Sequence, residues 1–204
     1  MAKNKQLQFD IRNVKFAVKT ELGYDTPKDL AYAESIALSP VFSEQQVYGD
    51  GKLMATLASD KGYLGTLIVV QPAPEYEIAM KRKMQIASGL ADVGQIDNIE
   101  HALYYEFTVF LNGVAKTGKS WLLNLTSGRP AETFTQSKED PTINNVEYPL
   151  TIIGDVLMNA AGTDVHRDDN GNQFTITKVT SMPGDVDYET FGNAVPVPKI
   201  KTGA

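Results

Sequence analysis

The chain has no cysteine and, in 204 residues, only two histidines, His101 and His166. No disulfide framework and no thiolate metal site can form, and two histidines so far apart make a poor start for a zinc centre. Each histidine is read as a packing or surface residue. Long apolar runs are missing too. The densest, residues 67–70, is far short of the ~20 residues that span a bilayer as a helix, and residues 1–10 carry lysines without the apolar core of a signal peptide. A soluble protein outside the secretory route is expected, with no membrane partner. Positive charge is in deficit: 19 basic residues against 25 acidic ones leave a net charge of −6. A protein that draws its affinity from nucleic-acid phosphates has the opposite balance.

What is there is ordinary globular material. Hydrophobic residues make up 42% and charged residues 22%, enough to fill a core and too apolar for a disordered chain. The length suits a single, somewhat enlarged domain over residues 1–204.

Alternation with period two dominates. Leu7, Phe9 and Ile11 alternate with polar residues, the phase slips at Arg12-Asn13, and Val14, Phe16 and Val18 resume it, as in two strands or one bulged strand. Residues 35–39 and 47–48 are short strand candidates around a polar loop at 40–46. Leu53, Ala55 and Leu57 precede the turn Ser59-Asp60-Lys61-Gly62, and residues 63–70 form the return strand of a hairpin in which Gly62 takes a positive φ. Leu103, Tyr105, Phe107, Val109 and Leu111 give the cleanest alternation, continued by Trp121, Leu123 and Leu125 after a Gly- and Lys-rich loop, so a long hairpin is expected. Val146, Tyr148, Leu150 and Ile152 make another strand, and Phe174 with Ile176 a last one after the turn Asp169-Asn170-Gly171. One helix interrupts the pattern, over about residues 74–88. Pro72 and Pro74 introduce it, Glu75 and Glu77 occupy its first turn, Tyr76, Met80 and Met84 recur four apart, and Ser88-Gly89 ends it. Its Lys81-Arg82-Lys83 triplet reads as a solvated face with Glu77 paired to Lys81. Residues 183–204 are rich in turn-formers and are expected as an extended arm.

Three strings suggest chemistry. Gly113-Val-Ala-Lys-Thr-Gly118-Lys119-Ser120 matches the phosphate-binding P-loop letter for letter, with Asp155 as a candidate magnesium-holding carboxylate. A phosphate cradle needs the Lys-Ser pair to open a helix, whereas the sequence from Trp121 to Pro130 alternates and soon meets Gly128 and Pro130. A hairpin is the better fit. Residues 164–172 are acidic, but a calcium-loop alignment on Gly171 puts His166 first and Thr177 last, where carboxylates are required. Asn124-Leu-Thr126 is a glycosylation sequon without a secretion signal. No catalytic residue, cofactor or metal ligand is nominated.

Several stretches, in order and at similar spacing, resemble the major tail proteins of siphophages that infect Gram-positive bacteria. Asn13-Val-Lys-Phe-Ala-Val18 resembles the family's opening strand, and the stretch from Tyr24 to Leu30 its proline-containing turn. The stretch from Tyr48-Gly-Asp-Gly51 to Asp60-Lys-Gly-Tyr63-Leu-Gly-Thr-Leu67 is similar to its aspartate-bearing hairpin. Glu106-Phe-Thr-Val-Phe110 followed by Trp121 to Arg129-Pro130 resembles its strand pair ending in an Arg-Pro corner, and residues 133–140 and 147–152 resemble the polar stretch and strand that follow. The region 158–186 matches less well.

The resemblance implies a mainly β (α+β) fold, a β-sandwich or half-open barrel with one flanking helix. It also implies a structural virion protein rather than an enzyme, assembled in the host cytoplasm into stacked hexameric rings that form the non-contractile tail tube, a conduit for DNA during ejection. Its implied partners are further copies of itself, the tape measure protein inside, and the distal tail and tail terminator proteins at the ends. The genome passes without specific binding, and the acidic balance suits a wall that repels it. Exposed strand edges, an aggregation hazard in a monomer, would then be closed by head-to-tail pairing. The expected stacking elements are an N-terminal arm (1–12), a loop over 40–52 and a C-terminal arm (183–204). The interface residues nominated are Pro40, Val41, Phe42, Ser43, Glu44, Tyr48, Asp50 and Lys52 in the loop, with Pro196 and Pro198 in the arm. Two other readings compete: a carbohydrate- or surface-binding β-sandwich, which needs an exposed aromatic platform such as Trp121, and a P-loop NTPase.

Overall fold

A computed structural model describes residues 6–30, 32–94, 97–111, 113–131 and 145–201. The segments around 103–111 and 114–125 pair as the expected long hairpin, whereas residues 53–57 and 63–69, expected on opposite sides of a turn, lie in one continuous strand. In chain order the elements are β1 (Gln6–Thr20), β2 (Gly23–Tyr24), β3 (Lys28–Asp29), β4 (Ala33–Gly49), β5 (Lys52–Val69), α1 (Pro74–Ala79), β6 (Lys83–Ile86), β7 (Gly89–Asp92), β8 (His101–Leu111), β9 (Val114–Ser127), β10 (Val146–Ile152), β11 (Asp155–Val156), β12 (Thr175–Ile176) and β13 (Lys178–Ser181). One antiparallel sheet runs β2-β1-β8-β9-β10-β5-β4, with β3 added to β1 and β13 to β9. It curls until β1 and β4 approach each other across a cavity of about 320 Å³ lined by Ile11, Ile36, Leu38 and Tyr105, among others. The fold is a mainly β half-open barrel with one short helix.

The phase slip in β1 is a pair of register shifts against β8, between Phe9 and Arg12 and between Arg12 and Lys15. Asp10 (φ 68°) and Asn13 (φ 52°) take the left-handed conformations there, which short polar side chains tolerate best. Of the expected N-terminal arm, residues 6–12 are strand paired with β8; residues 1–5 lie outside the described residues. So do residues 133–140, one of the stretches that carry the family resemblance.

Both faces of the sheet are covered along β9. Phe16, Leu67, Val69, Leu103, Leu122, Leu125, Tyr148 and Leu150 fill the barrel, with Tyr76 and Met80 from the α1 region packed among them. Trp121 and Leu123 point the other way, into a second cluster with Ala17, Ala102 and Tyr104. Thus Trp121, Leu122 and Leu123 are consecutive and all buried, and the simple alternation read through Leu125 breaks at Asn124 (φ 45°).

The second cluster corrects the C-terminal expectation. Residues 183–201 are not an extended arm. They fold across the outer face of the sheet, where Phe191 and Val195 pack on the Trp121 cluster. Trp121 Nε1–H donates to the Phe191 carbonyl (2.8 Å), Lys119 Nζ donates to the Tyr188 carbonyl (2.8 Å), and Tyr188 O–H donates to the Thr117 carbonyl (2.9 Å). Further along, Met158 N–H donates to the Pro198 carbonyl (2.8 Å) and Ile200 N–H to the Met158 carbonyl (3.1 Å). Pro198 is buried and Pro196 half-buried.

The helix is also shorter than expected. Pro74 opens it and Glu75 and Glu77 occupy its first turn, but it ends at Ala79 instead of continuing to about 88. Lys81 turns left-handed (φ 54°), which aims Arg82 inward, and the chain then forms the β6–β7 hairpin around Gly89 (φ 140°). Tyr76 and Met80 are core residues, whereas Met84 is exposed on β6.

Candidate functional site

The segment expected as a loop at residues 40–52 is a strand and a turn. β4 runs through it without interruption and pairs with β5 from Ala33↔Val69 to Gly49↔Lys52. The turn joining them is Asp50-Gly51, with both residues at positive φ (50° and 75°). That is the two-residue geometry matching the right-handed twist of a hairpin, and Asp-Gly is its strongest local signal. The turn expected at Ser59-Asp60-Lys61-Gly62 is instead part of β5, where the register shifts between Pro40 and Phe42.

β10 supports β5 only as far as Ile152↔Tyr63. Beyond it, among the described residues, β4 and β5 pair only with each other, as a two-stranded ribbon. Its surface is unusually apolar: Phe42 is 60% exposed, Tyr48 62%, Leu53 53% and Met54 72%. Isolated two-stranded ribbons are marginal in water, and exposed apolar groups at this density mark surfaces that meet something.

The structure gathers eight of the ten nominated residues on this element. Pro40 lies at the base opposite Tyr63, and Val41, half-buried, beside it; Phe42 pairs with Asp60, Ser43 with Ser59 and Glu44 with Ala58. Tyr48 stands across from Leu53, Asp50 is in the turn, and Lys52 faces Gly49. Pro196 and Pro198 belong to the covering segment on the body.

The P-loop string, expected as a Gly- and Lys-rich loop, is a turn at Gly113 followed by the first half of β9, and its signature residues have other partners. Gly113 (φ 86°) turns the chain between β8 and β9. Gly118 lies under the Phe107 ring, where an added Cβ would sit 2.4 Å from Cζ. Lys119 is clamped to the Tyr188 and Glu189 carbonyls, with Nζ 4.2 Å from the Tyr188 ring centroid. Ser120 is buried against Thr180, Oγ to Oγ1 2.8 Å. The pair lies within a strand, so no helix N-terminus converges on a phosphate. Asp155 is engaged elsewhere: Lys19 Nζ donates to Oδ1 (3.0 Å) and Tyr24 O–H to Oδ2 (2.6 Å). Burial, reinforced by Asp155, pushes the Tyr24 hydroxyl well above its ordinary pKa. Burial works to lower Lys19, but its bonds to Glu100 and Asp155 outweigh this and raise it. Trp121 is buried, so it offers no platform to a sugar. In the acidic segment, the Asp168 carboxylate accepts from the Asn172 side chain and from the Asn172 and Asn170 N–H groups, which holds it below the usual carboxylate range. No cluster of metal-ligating side chains occurs among the described residues.

Sequence reasoning missed a buried polar network. Arg82, read as solvated, is 1% exposed. Its Nε pairs with Glu77 Oε2 (3.1 Å), and Nη1 donates to the Ser127 and Gly128 carbonyls (3.1 and 2.6 Å) and to Ser127 Oγ (3.0 Å). The guanidinium lies about 5 Å from the ring centroids of both Tyr76 and Tyr148. Lys81, expected to pair with Glu77, reaches Asp97 instead. Tyr76 O–H donates to Ser127 Oγ (2.8 Å), which also accepts from Arg82 Nη1, and the Tyr76 hydroxyl lies 2.8 Å from His101 Nε2, whose Nδ1 is 3.1 Å from the Ile99 carbonyl. Burial brings the His101 pKa down to about 4, against an upward pull from the Ile99 carbonyl and with a smaller downward push from Arg82. Burial pushes Tyr76 up to about 12. The network ties the end of α1 to the end of β9, and no local signal in a Lys-Arg-Lys triplet reveals it.

Comparison with known proteins adds no identity: no family model matches the chain, and no curated protein matches it.

Proposed function

We propose that the chain is a self-assembling structural subunit, the major tail protein of a siphophage, whose stacked hexameric rings form the tail tube. The observation that carries this reading is the projecting β4–β5 ribbon, which exposes Phe42, Tyr48, Leu53 and Met54 beyond the last strand that supports it. A ribbon of this kind presents two unpaired edges as well as apolar side chains. A second copy of the chain is its natural occupant, because a heterologous contact between a projection and a different surface of the next copy propagates into rings and filaments. Among the described residues β4 has no strand on its outer edge, which supports the same association. The net charge of −6 suits a conduit that DNA crosses without binding. On this reading the tape measure protein occupies the lumen, and the distal tail and terminator proteins cap the ends.

Electron microscopy of the purified chain over a range of concentrations tests it. Rings or tubes of uniform width are expected; particles that stay monomeric at every concentration overturn the reading.

A further inference from the structure

The ribbon does not simply continue the barrel. At the level where β10 ends, the β4–β5 ladder steps from Pro40↔Tyr63 to Phe42↔Asp60. Val41 on β4 therefore faces two residues on β5, Lys61 and Gly62. Such a bulge bends the strand that carries the extra residue and increases its local twist.

Two side-chain facts fix this one. Gly62 is buried at φ 90°, and a Cβ built on it would lie 2.1 Å from the Ile152 carbonyl oxygen, so β5 presses its backbone onto the last residue of β10. Any larger residue meets both the backbone of Ile152 and the penalty of a positive φ. The Gly62 N–H donates to Asp60 Oδ1 (2.9 Å), so the bulge is braced from within. The bend falls where β5 loses the support of β10 and keeps only β4.

We propose that Asp60 and Gly62 are positioning residues that set the direction in which the ribbon leaves the barrel, and so the geometry with which it meets a second copy of the chain. The inference rests on the assembly reading above and adds a division of labour. The apolar side chains of the ribbon supply the contact, and the bulge aims it. Asp60→Ala removes the brace while leaving the barrel core intact. Gly62→Ala forces β5 away from Ile152 and swings the ribbon further. Asp60→Asn keeps a side-chain oxygen in place and keeps the aim.

Because the chain has no cysteine, spin labels can be placed at will. Lys52→Cys near the ribbon tip and Glu75→Cys on α1 are both at exposed positions. In the isolated full-length chain, Asp60→Ala is expected to shift or broaden the label-to-label distance by roughly a strand spacing, about 5 Å, at an unchanged melting temperature, and Asp60→Asn to restore it. Unlabelled Asp60→Ala subunits are expected to need about tenfold higher concentration to form tubes, the effect of weakening one contact by about 1.4 kcal/mol. An unchanged distance in Asp60→Ala overturns the proposal whether or not Gly62→Ala folds, and so does a shifted distance with normal tube formation. Absence of tubes from the wild-type chain, by contrast, counts against the assembly reading alone, since the distance is read on the free subunit.

Discussion

The two halves of the β4–β5 hairpin share a ladder and differ in everything else. Between Tyr63 and Val69, β5 lies between β10 and β4, with Leu67 and Val69 fully buried. Between Lys52 and Asp60 the ladder continues, yet Leu53 and Met54 are in water. Pairing is therefore not what separates fold from projection; support on the far edge and on the faces is. The inner half owes its stability to burial, while the outer half keeps its shape through backbone bonds and a turn, leaving its side chains available.

The sharpest way to break this contrast is to strike the body. Arg82→Met leaves the Glu77 carboxylate buried without its cation, and a loss of about 3–5 kcal/mol is expected in urea unfolding. Leu67→Ala opens a cavity in the barrel, with an expected loss of about 2–5 kcal/mol by the same measurement. Both variants should lose tubes because they lose the fold.

His101 gives a graded test of the body. Its folded pKa of about 4 lies below the 6.5 of an exposed imidazole. Between those values the unfolded chain binds a proton that the folded chain refuses, so stability falls as pH drops from about 6.5 to about 4, by up to roughly 3 kcal/mol, and is fully present above that window. The pH dependence of the unfolding midpoint should flatten across that range in His101→Gln. At the small end, Tyr48→Ser combined with Met54→Ser should move stability by no more than about 0.5 kcal/mol and still abolish assembly. A large loss of stability in that double variant would show that the outer half is part of the core after all.

What could be read from sequence follows the reach of the interactions. β8, β10 and the broken phase of β1 were legible because period two is a local property, and Asp10 and Asn13 are the residue types that tolerate the observed kinks. The helix was overextended because the spacing of Tyr76, Met80 and Met84 holds for two residues and is accidental for the third. Two turn signals competed in the hairpin. Asp50-Gly51 makes the turn and Ser59 to Gly62, expected to make it, does not, because a glycine at positive φ serves a bulge as readily as a turn. The nominated ribbon residues were gathered in one place although their conformation was misjudged. The C-terminal segment and Arg82 were misread for a common reason: a Pro- and Gly-rich stretch and a basic triplet both look solvated, and their burial depends on Trp121, Tyr148 and Glu77, contacts that no short window contains.

The bulge at the ribbon base has a mechanical consequence. From Phe42 to Gly49 the ribbon is a lever of about 25 Å at ~3.3 Å per residue. An angular error of about 10° at Gly62 displaces its tip by roughly 4–5 Å, close to the distance between neighbouring strands. On the proposed assembly, a tip misplaced by that much would be one whole strand out of step with the next copy. On that assembly the tolerance at the base would be a few degrees, and the base is where the buried Gly62 and its Asp60 brace sit.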